Sequence, residues 1–151
     1  MVMYNAEIMA VQKSIRVLAI DWGSRRIGVA ISDSTGIIAR PLGIINHTSR
    51  AEDAERIIRL ANENSIDSIL VGVAYDENNC LTPSGRSANR LADAISTLFG
   101  KQVILWDESF TTLNAKRLQI EKGTSRIKRK GHQDDIAAVL LLEDYLEKTN
   151  P

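Results

Sequence analysis

The sequence predicts an α/β fold, a mixed five-stranded sheet made of a three-stranded antiparallel meander plus two parallel strands, with helices on both faces. Three observations carry this. Apolar β-rich runs near the start are separated by turns too short for anything but antiparallel pairing. Two later apolar runs are each preceded by a stretch of helical periodicity, the signature of parallel strands joined by crossovers. The run at 68–73 is almost continuously apolar, as expected of a strand covered on both faces.

The elements follow in order. Residues 15–20 (Ile-Arg-Val-Leu-Ala-Ile) read as a buried strand, ended by the turn Asp21-Trp22-Gly23-Ser24. Residues 27–31 form a short second strand, and 37–45 a third, broken by Pro41 and Gly43. Thr48 or Ser49 can cap a helix over 51–64, whose Ala54, Ile57, Ile58 and Ala61 fall on one face. After the strand at 68–73 and a polar loop, residues 84–99 form a second helix. It carries Ala88, Leu91, Ala92, Ile95 and Leu98 on one stripe, with Gly100 as its stop. Residues 103–106 are the last strand. A short helix near 112–119, a basic connection to Gly131 and a final helix from about Asp134 to Lys148 complete the chain. The final helix presents Ala137, Ala138, Leu141, Leu142 and Tyr145 to the core. Residues 1–14 read as a loosely ordered extension and 15–151 as one domain.

A chain of 151 residues, 44% hydrophobic and 25% charged, can bury one sizeable core. Cys80 is its single cysteine, so an intrachain disulfide is excluded and a bystander thiol expected. No run approaches the roughly 20 apolar residues of a membrane span, and the N-terminus lacks the pattern of a secretory signal. The expected location is the cytoplasm. Net charge is zero, but its distribution is uneven: residues 116–131 hold seven basic side chains against one acid, Glu121.

Three acids stand where strands or helices end, the usual place for sites in α/β folds. Asp21 follows the first strand, Glu108 follows the last strand after Trp106-Asp107, and Asp134 opens the last helix. If the first and last strands are neighbours, all three meet at one edge of the sheet. Clustered carboxylates repel unless a cation binds among them, and hard oxygen ligands suit Mg²⁺ or Mn²⁺. Two such ions activate a water and stabilise the leaving oxygen of a phosphodiester. Each acid also has a structural account: Asp21 as a turn residue, Glu108 as a solvated loop acid, Asp134 and Asp135 as helix-terminal caps.

The residues around these acids resemble a known family. Ile20-Asp21-Trp22-Gly23-Ser24-Arg25-Arg26-Ile27-Gly28-Val29-Ala30 resembles the opening motif of the YqgF family. Its members are ribonuclease-H-fold proteins described as Holliday junction resolvases and as nucleases maturing the small-subunit ribosomal RNA precursor. Asp107-Glu108-Ser109-Phe110-Thr111-Thr112 is similar to its second acidic motif, and Asp134-Asp135-Ile136-Ala137-Ala138 to its closing helix. Val71-Gly72-Val73-Ala74 is similar to its Val-Gly-Leu-Pro segment. The resemblance implies a ribonuclease H-like fold with Asp21, Glu108 and Asp134 as catalytic, metal-binding acids, and it selects Asp134 over Asp135. Asp21 would then bridge two ions, with Glu108 and Asp134 each completing one coordination sphere. Ser109 stands where the family has arginine and Ala74 where it has proline.

Flanking groups suit phosphate. Gly23 lets the backbone approach a ligand, and Ser24, Arg25 and Arg26 can donate to phosphate oxygens. Arg126, Lys128, Arg129 and Lys130 are candidates for holding a nucleic-acid backbone, on a segment that Gly123 and Gly131 make mobile. Thr111, His132 and Asp135 are supporting candidates. Trp22 and Trp106 can stack on bases, with core packing the alternative.

The leading expectation is a metal-dependent nuclease in 5′-end maturation of pre-16S ribosomal RNA, taking an RNA precursor as partner and acting as a monomer or weak homodimer. The alternatives are a Holliday junction resolvase-type DNA endonuclease and a nucleic-acid-binding protein without catalysis. A sugar-kinase or actin-type phosphotransferase, whose phosphate hairpin also reads Asp-x-Gly, needs two such domains.

Overall fold

The computed structural model describes residues 2–3, 16–109 and 126–150, with side chains for 16–109 and 136–150. The short helix expected at 112–119, with Thr111, lies outside the described residues, as does most of the segment 1–14. The elements are β1 (Val2–Met3), β2 (Val17–Asp21), β3 (Arg26–Ser32), β4 (Ala39–Asn46), α1 (Arg50–Glu63), β5 (Ser68–Val73), α2 (Pro83–Leu98), β6 (Gln102–Asp107) and α3 (Arg126–Thr149). The five predicted strands are all present. The two-residue β1, within the segment read as an extension, adds itself beside β6.

The sheet order is β1-β6-β5-β2-β3-β4. β2, β3 and β4 form the antiparallel meander, while β2, β5 and β6 run parallel. The first predicted strand and the last are therefore not neighbours. β5 lies between them, because its run of buried apolar residues fits the sheet's centre.

Strand alternation sorts the core into two layers. Leu18, Ile20, Ile69, Val71, Val103 and Leu105 face α1 and α2, meeting Ile57, Ala61, Leu91 and Ile95. Val17, Ala19, Ala30, Leu70, Ile104 and Trp106 face α3, meeting Ala138, Leu141, Leu142, Tyr145 and Leu146.

Local chemistry sets the element ends. Ser49 caps α1, its hydroxyl accepting from the Glu52 N–H at 3.2 Å, and Thr82 caps α2 with Pro83 in the first turn. α2 thus starts one residue before the expected Ser84, and Leu98, expected in its apolar stripe, is 53% exposed as the last residue of the helix. Pro41 and Gly43 do not break the third strand. The register shifts between Val29 and Ala30, whose partners are Gly43 and Pro41, so Leu42 is the extra residue of a bulge. β4 is an edge strand, where a missing proline N–H is tolerated. It begins at Ala39, because the Asp33 carboxylate gathers the N–H groups of Ile37 and Ile38 and the Thr35 hydroxyl into a turn. Those hydrogen bonds, the Thr35 hydroxyl foremost, lower the Asp33 pKa to about 2.

The last helix departs most from expectation. It starts at Arg126 rather than near Asp134, so the basic segment that read as a mobile connection forms its first turns. Arginine, lysine and isoleucine sustain a helix, and one interior glycine, Gly131, costs only about 1 kcal/mol. Position 134 is consequently inside the helix, and the helix-capping account of Asp134 and Asp135 no longer applies.

Trp106 anchors α3. It is 3% exposed, packs edge-on against Tyr145 at 5.1 Å, and donates from Nε1 to Asp144 Oδ2 at 2.8 Å. Lys148 pairs with Asp144 at 3.0 Å. Trp106 is core, and base stacking by it is excluded. Asn150 closes the other end, its side-chain amide donating to the Gly36 carbonyl in the β3–β4 turn at 2.8 Å.

Candidate active site at the carboxyl edge of the parallel strands

Asp21 is the last residue of β2 and is half-buried. Because Ala19 faces α3 and Ile20 faces α1 and α2, alternation places Asp21 on the α3 face. Its partner across the antiparallel ladder is Gly28. On the parallel side, Ile20 pairs with Val71, which sets Asp21 level with Gly72 of β5. The carboxylate therefore stands between two strands that both offer glycine on its face.

Glu108 arrives from the other side of β5. Gly72 pairs with Trp106, and Glu108 continues the ladder two residues on, its N–H donating to the Val73 carbonyl at 3.0 Å. Its side chain turns back over Gly72. A Cβ built on Gly72 would lie 2.7 Å from Glu108 Oε2 and 2.9 Å from Leu141 Cδ2 of α3. The absent side chain at position 72 is thus the space that the Glu108 carboxylate occupies. Neighbouring strands lie about 4.8 Å apart, so the route from Asp21 to Glu108 crosses one strand, and that strand carries no side chain in the way. The same parity separates Glu108 from Asp107, which accepts from the Ser109 N–H at 2.8 Å.

The orientation of α3 brings the third position to the same edge. Asn150 is tied to the β3–β4 turn, at the amino end of β2, while Leu141 lies over Gly72 near the carboxyl end of β5. The helix therefore runs with its N-terminus toward the carboxyl edge. Position 134 precedes Leu141 by seven residues, on the same helical stripe and about 10 Å along the axis. The side chains of Asp134, Asp135, His132, Arg126, Lys128, Arg129 and Lys130 lie outside the described residues. Among the described residues, no three His, Cys, Asp or Glu side chains gather as a metal site. Two carboxylates in a cradle made by glycines nonetheless fit a hard divalent cation, which wants oxygen ligands and room for its waters.

Ser24, Arg25 and Arg26 are exposed on the hairpin directly after Asp21. Gly23 has a local reason to be glycine: a Cβ there would sit 2.5 Å from the Arg26 carbonyl oxygen, so the turn itself demands it. Of the two departures from the family pattern, Ser109 has a side-chain role, while Ala74 acts through a backbone carbonyl that proline would also offer. Ser109 Oγ accepts from the Tyr75 N–H at 2.7 Å and donates to the Tyr75 carbonyl at 3.3 Å, tying the Glu108 segment to the loop after β5. The Ala74 carbonyl accepts from Thr82 N and Oγ1 at 3.0 and 3.1 Å, and lies 2.4 Å from where a Cβ on Gly85 would be. Sequence reasoning did not assign Gly72 or Gly28 a part in the site. The available signal was a glycine in each of two buried strands flanking the one that ends in the acid.

Comparison with solved structures gives the fold. Thermus thermophilus RuvC in complex with Holliday junction substrate superposes with a TM-score of 0.54 at 13% identity, covering 90% of this chain and 96% of that one. The fowlpox virus Holliday junction resolvase gives 0.53 at 17% identity, covering 88% and 98%. Both likenesses establish a ribonuclease H-like fold. Among sequences, a protein of Thermoanaerobacter pseudethanolicus named "Putative pre-16S rRNA nuclease" is 42% identical over 88% of this chain and 96% of its own length. A Clostridium perfringens protein of the same name is 34% identical over 89% and 98%. The RuvX family model, described as Holliday junction resolvase, matches residues 15–148, the span from β2 through the end of α3 that builds the acid-lined edge. With that match and those identities, the chain belongs to the RuvX family, the YqgF family of the sequence resemblance.

Proposed function

We propose that this protein is a divalent-metal-dependent nuclease that hydrolyses phosphodiester bonds in the cytoplasm, acting on the 5′ end of pre-16S ribosomal RNA. The carrying observation is the placement of Asp21 and Glu108 on one sheet face around a residue without a side chain. The names of the relatives supply the substrate. Asp21, Glu108 and Asp134 would hold Mg²⁺ or Mn²⁺, which when bound activates a water and stabilises the leaving oxygen. Asp21, fixed at the end of a buried strand, would supply the central carboxylate of that metal site, between the two flanking acids. Arg25 and Arg26 on the adjoining hairpin offset phosphate charge, with Ser24 donating a hydrogen bond.

The basic positions 126, 128, 129 and 130 support the same reading. They occupy the first turns of α3, where the helix dipole is already positive. Cations there cost roughly 0.3–1 kcal/mol each unless an anion approaches. A phosphate backbone crossing the carboxyl edge of the sheet is such an anion. No helix among the described residues is long and apolar enough to cross a membrane.

The test compares cleavage of a labelled 5′-extended 16S precursor RNA with that of a four-way DNA junction, with Mn²⁺, with Mg²⁺ and with chelator. The expected result is cutting of the RNA that chelator abolishes and either metal restores. Junction cutting without RNA cutting would transfer the assignment to the resolvase alternative. Binding unchanged by chelator, with neither substrate cut, would favour a binding protein.

A further inference from the structure

On the face opposite the acids, but at the same edge of the sheet, a cavity of about 220 Å³ opens between Trp22, His47, Arg50, Asp53, Ser87 and Leu91. We propose that it is a nucleotide subsite, taking one base and its phosphate from a single-stranded RNA whose neighbouring phosphodiester lies at Asp21. The proposal rests on the nuclease reading for that neighbouring position and adds a binding site to it.

Connectivity fixes the relation between the two places. Asp21 and Trp22 are consecutive, so alternation sends them to opposite faces within about 3.3 Å of rise. A strand draped over the edge at one meets the other. Trp22 is half-buried, backed by the α1/α2 core layer and held edge-on by His47 with ring centroids 6.1 Å apart and planes at 69°. A tryptophan fixed in this way offers a rigid surface for a base, and stacking tolerates any base.

The polar groups suit the phosphate. His47 is bound through Nδ1 to the fully buried carboxylate of Asp53. Asp53 also accepts from the Thr48 N–H at 3.2 Å and lies 3.9 Å from Arg56. Its charge is therefore answered within the protein, and the Nδ1 contact fixes the orientation of the imidazole at the cavity wall. The Arg50 side chain is exposed and makes no hydrogen bond or ion pair among the described residues, whereas Arg56 donates to the Asn46 carbonyl and Arg86 to that of Leu81. The His47 N–H donates to the Arg25 carbonyl at 2.9 Å, which ties the cavity wall to the arginine hairpin beside Asp21. Sites for drug-sized ligands run to roughly 300–1,000 Å³. About 220 Å³ suits a single nucleotide unit.

The experiment titrates the full-length protein, in chelator so that nothing is cut, with a short single-stranded oligoribonucleotide. Tryptophan fluorescence is the signal. Trp22 and Trp106 are the tryptophans of the chain, and Trp106 is buried against α3, so quenching reports on Trp22. The expected result is saturable quenching that disappears in Trp22→Phe. Arg50→Ala should weaken binding about tenfold and reduce the slope of log affinity against log salt by about one. Arg50 is exposed, so its variants fold even if Trp22→Phe does not. Absence of quenching in the parent protein, or unchanged affinity and salt slope in both Arg50→Ala and Arg50→Glu, overturns the subsite. A protein that cuts RNA with the parent KM in Arg50→Ala refutes the subsite and leaves the nuclease reading intact. One that binds in an Arg50-dependent way but never cuts refutes the nuclease reading and leaves the subsite.

Discussion

Asp21→Asn is expected to lower RNA cleavage by about a hundredfold or more while leaving the fold intact. Losing a hydrogen-bond partner of a metal ligand already costs 10–100-fold, and in the proposed site Asp21 would be a ligand itself. Asparagine keeps the shape and removes the charge. Without metal the variant should still unfold cooperatively, as the parent protein does. The two effects separate when thermal unfolding is followed with and without Mn²⁺. Metal at a hundredfold over its dissociation constant stabilises the parent by about 2.7 kcal/mol, and that gain should vanish in the variant. Cleavage surviving the substitution would place the reaction elsewhere.

Gly72→Ala should be almost as damaging to activity, for a reason no pattern of acids reveals. The new methyl would stand 2.7 Å from Glu108 Oε2 and 2.9 Å from Leu141 Cδ2, closer than carbon tolerates. Both are ends of side chains, so the fold absorbs the clash at a cost of about 1–3 kcal/mol, typical of overpacking. What cannot be absorbed is the position of the Glu108 carboxylate. Misplacing a catalytic group by about 1 Å can cost a hundredfold in rate, and a loss of that order in kcat is expected. Melting curves and single-turnover rates together check this. A variant with the lowered melting temperature but near-parental kcat would show that Gly72 serves packing alone.

These two substitutions mark how far the sequence could be read. Strand and helix order was legible because the pattern changes along the chain: a short strand between turns at β3, a continuous apolar run at β5, helical spacing at α1 and α2. Asp21 and Glu108 were legible as candidates because both terminate apolar strands. What connects them was not. The sequence permitted β2 and β6 to be neighbours, and only the assembled sheet shows β5 between them, paired Ile20 to Val71 and Gly72 to Trp106. Once β5 intervenes, the site depends on Gly72, a residue whose contribution is the side chain it lacks. The start of α3 was misread for a related reason. Gly131 and the basic run looked like breakers, but helix-forming arginine and lysine outweigh one glycine. His47 carried no sequence signal, because nothing in the helical spacing of 51–64 marks its partner Asp53 as fully buried.

In the proposed reaction, Asp21 and Glu108 act on the same divalent cations across Gly72. Anomalous diffraction from a crystal grown with Mn²⁺ tests it most directly. Manganese is expected at the carboxyl edge of β2, β5 and β6, coordinated by carboxylate oxygens of both residues. Manganese bound elsewhere, or an edge where the two carboxylates engage only protein groups at saturating metal, would contradict it.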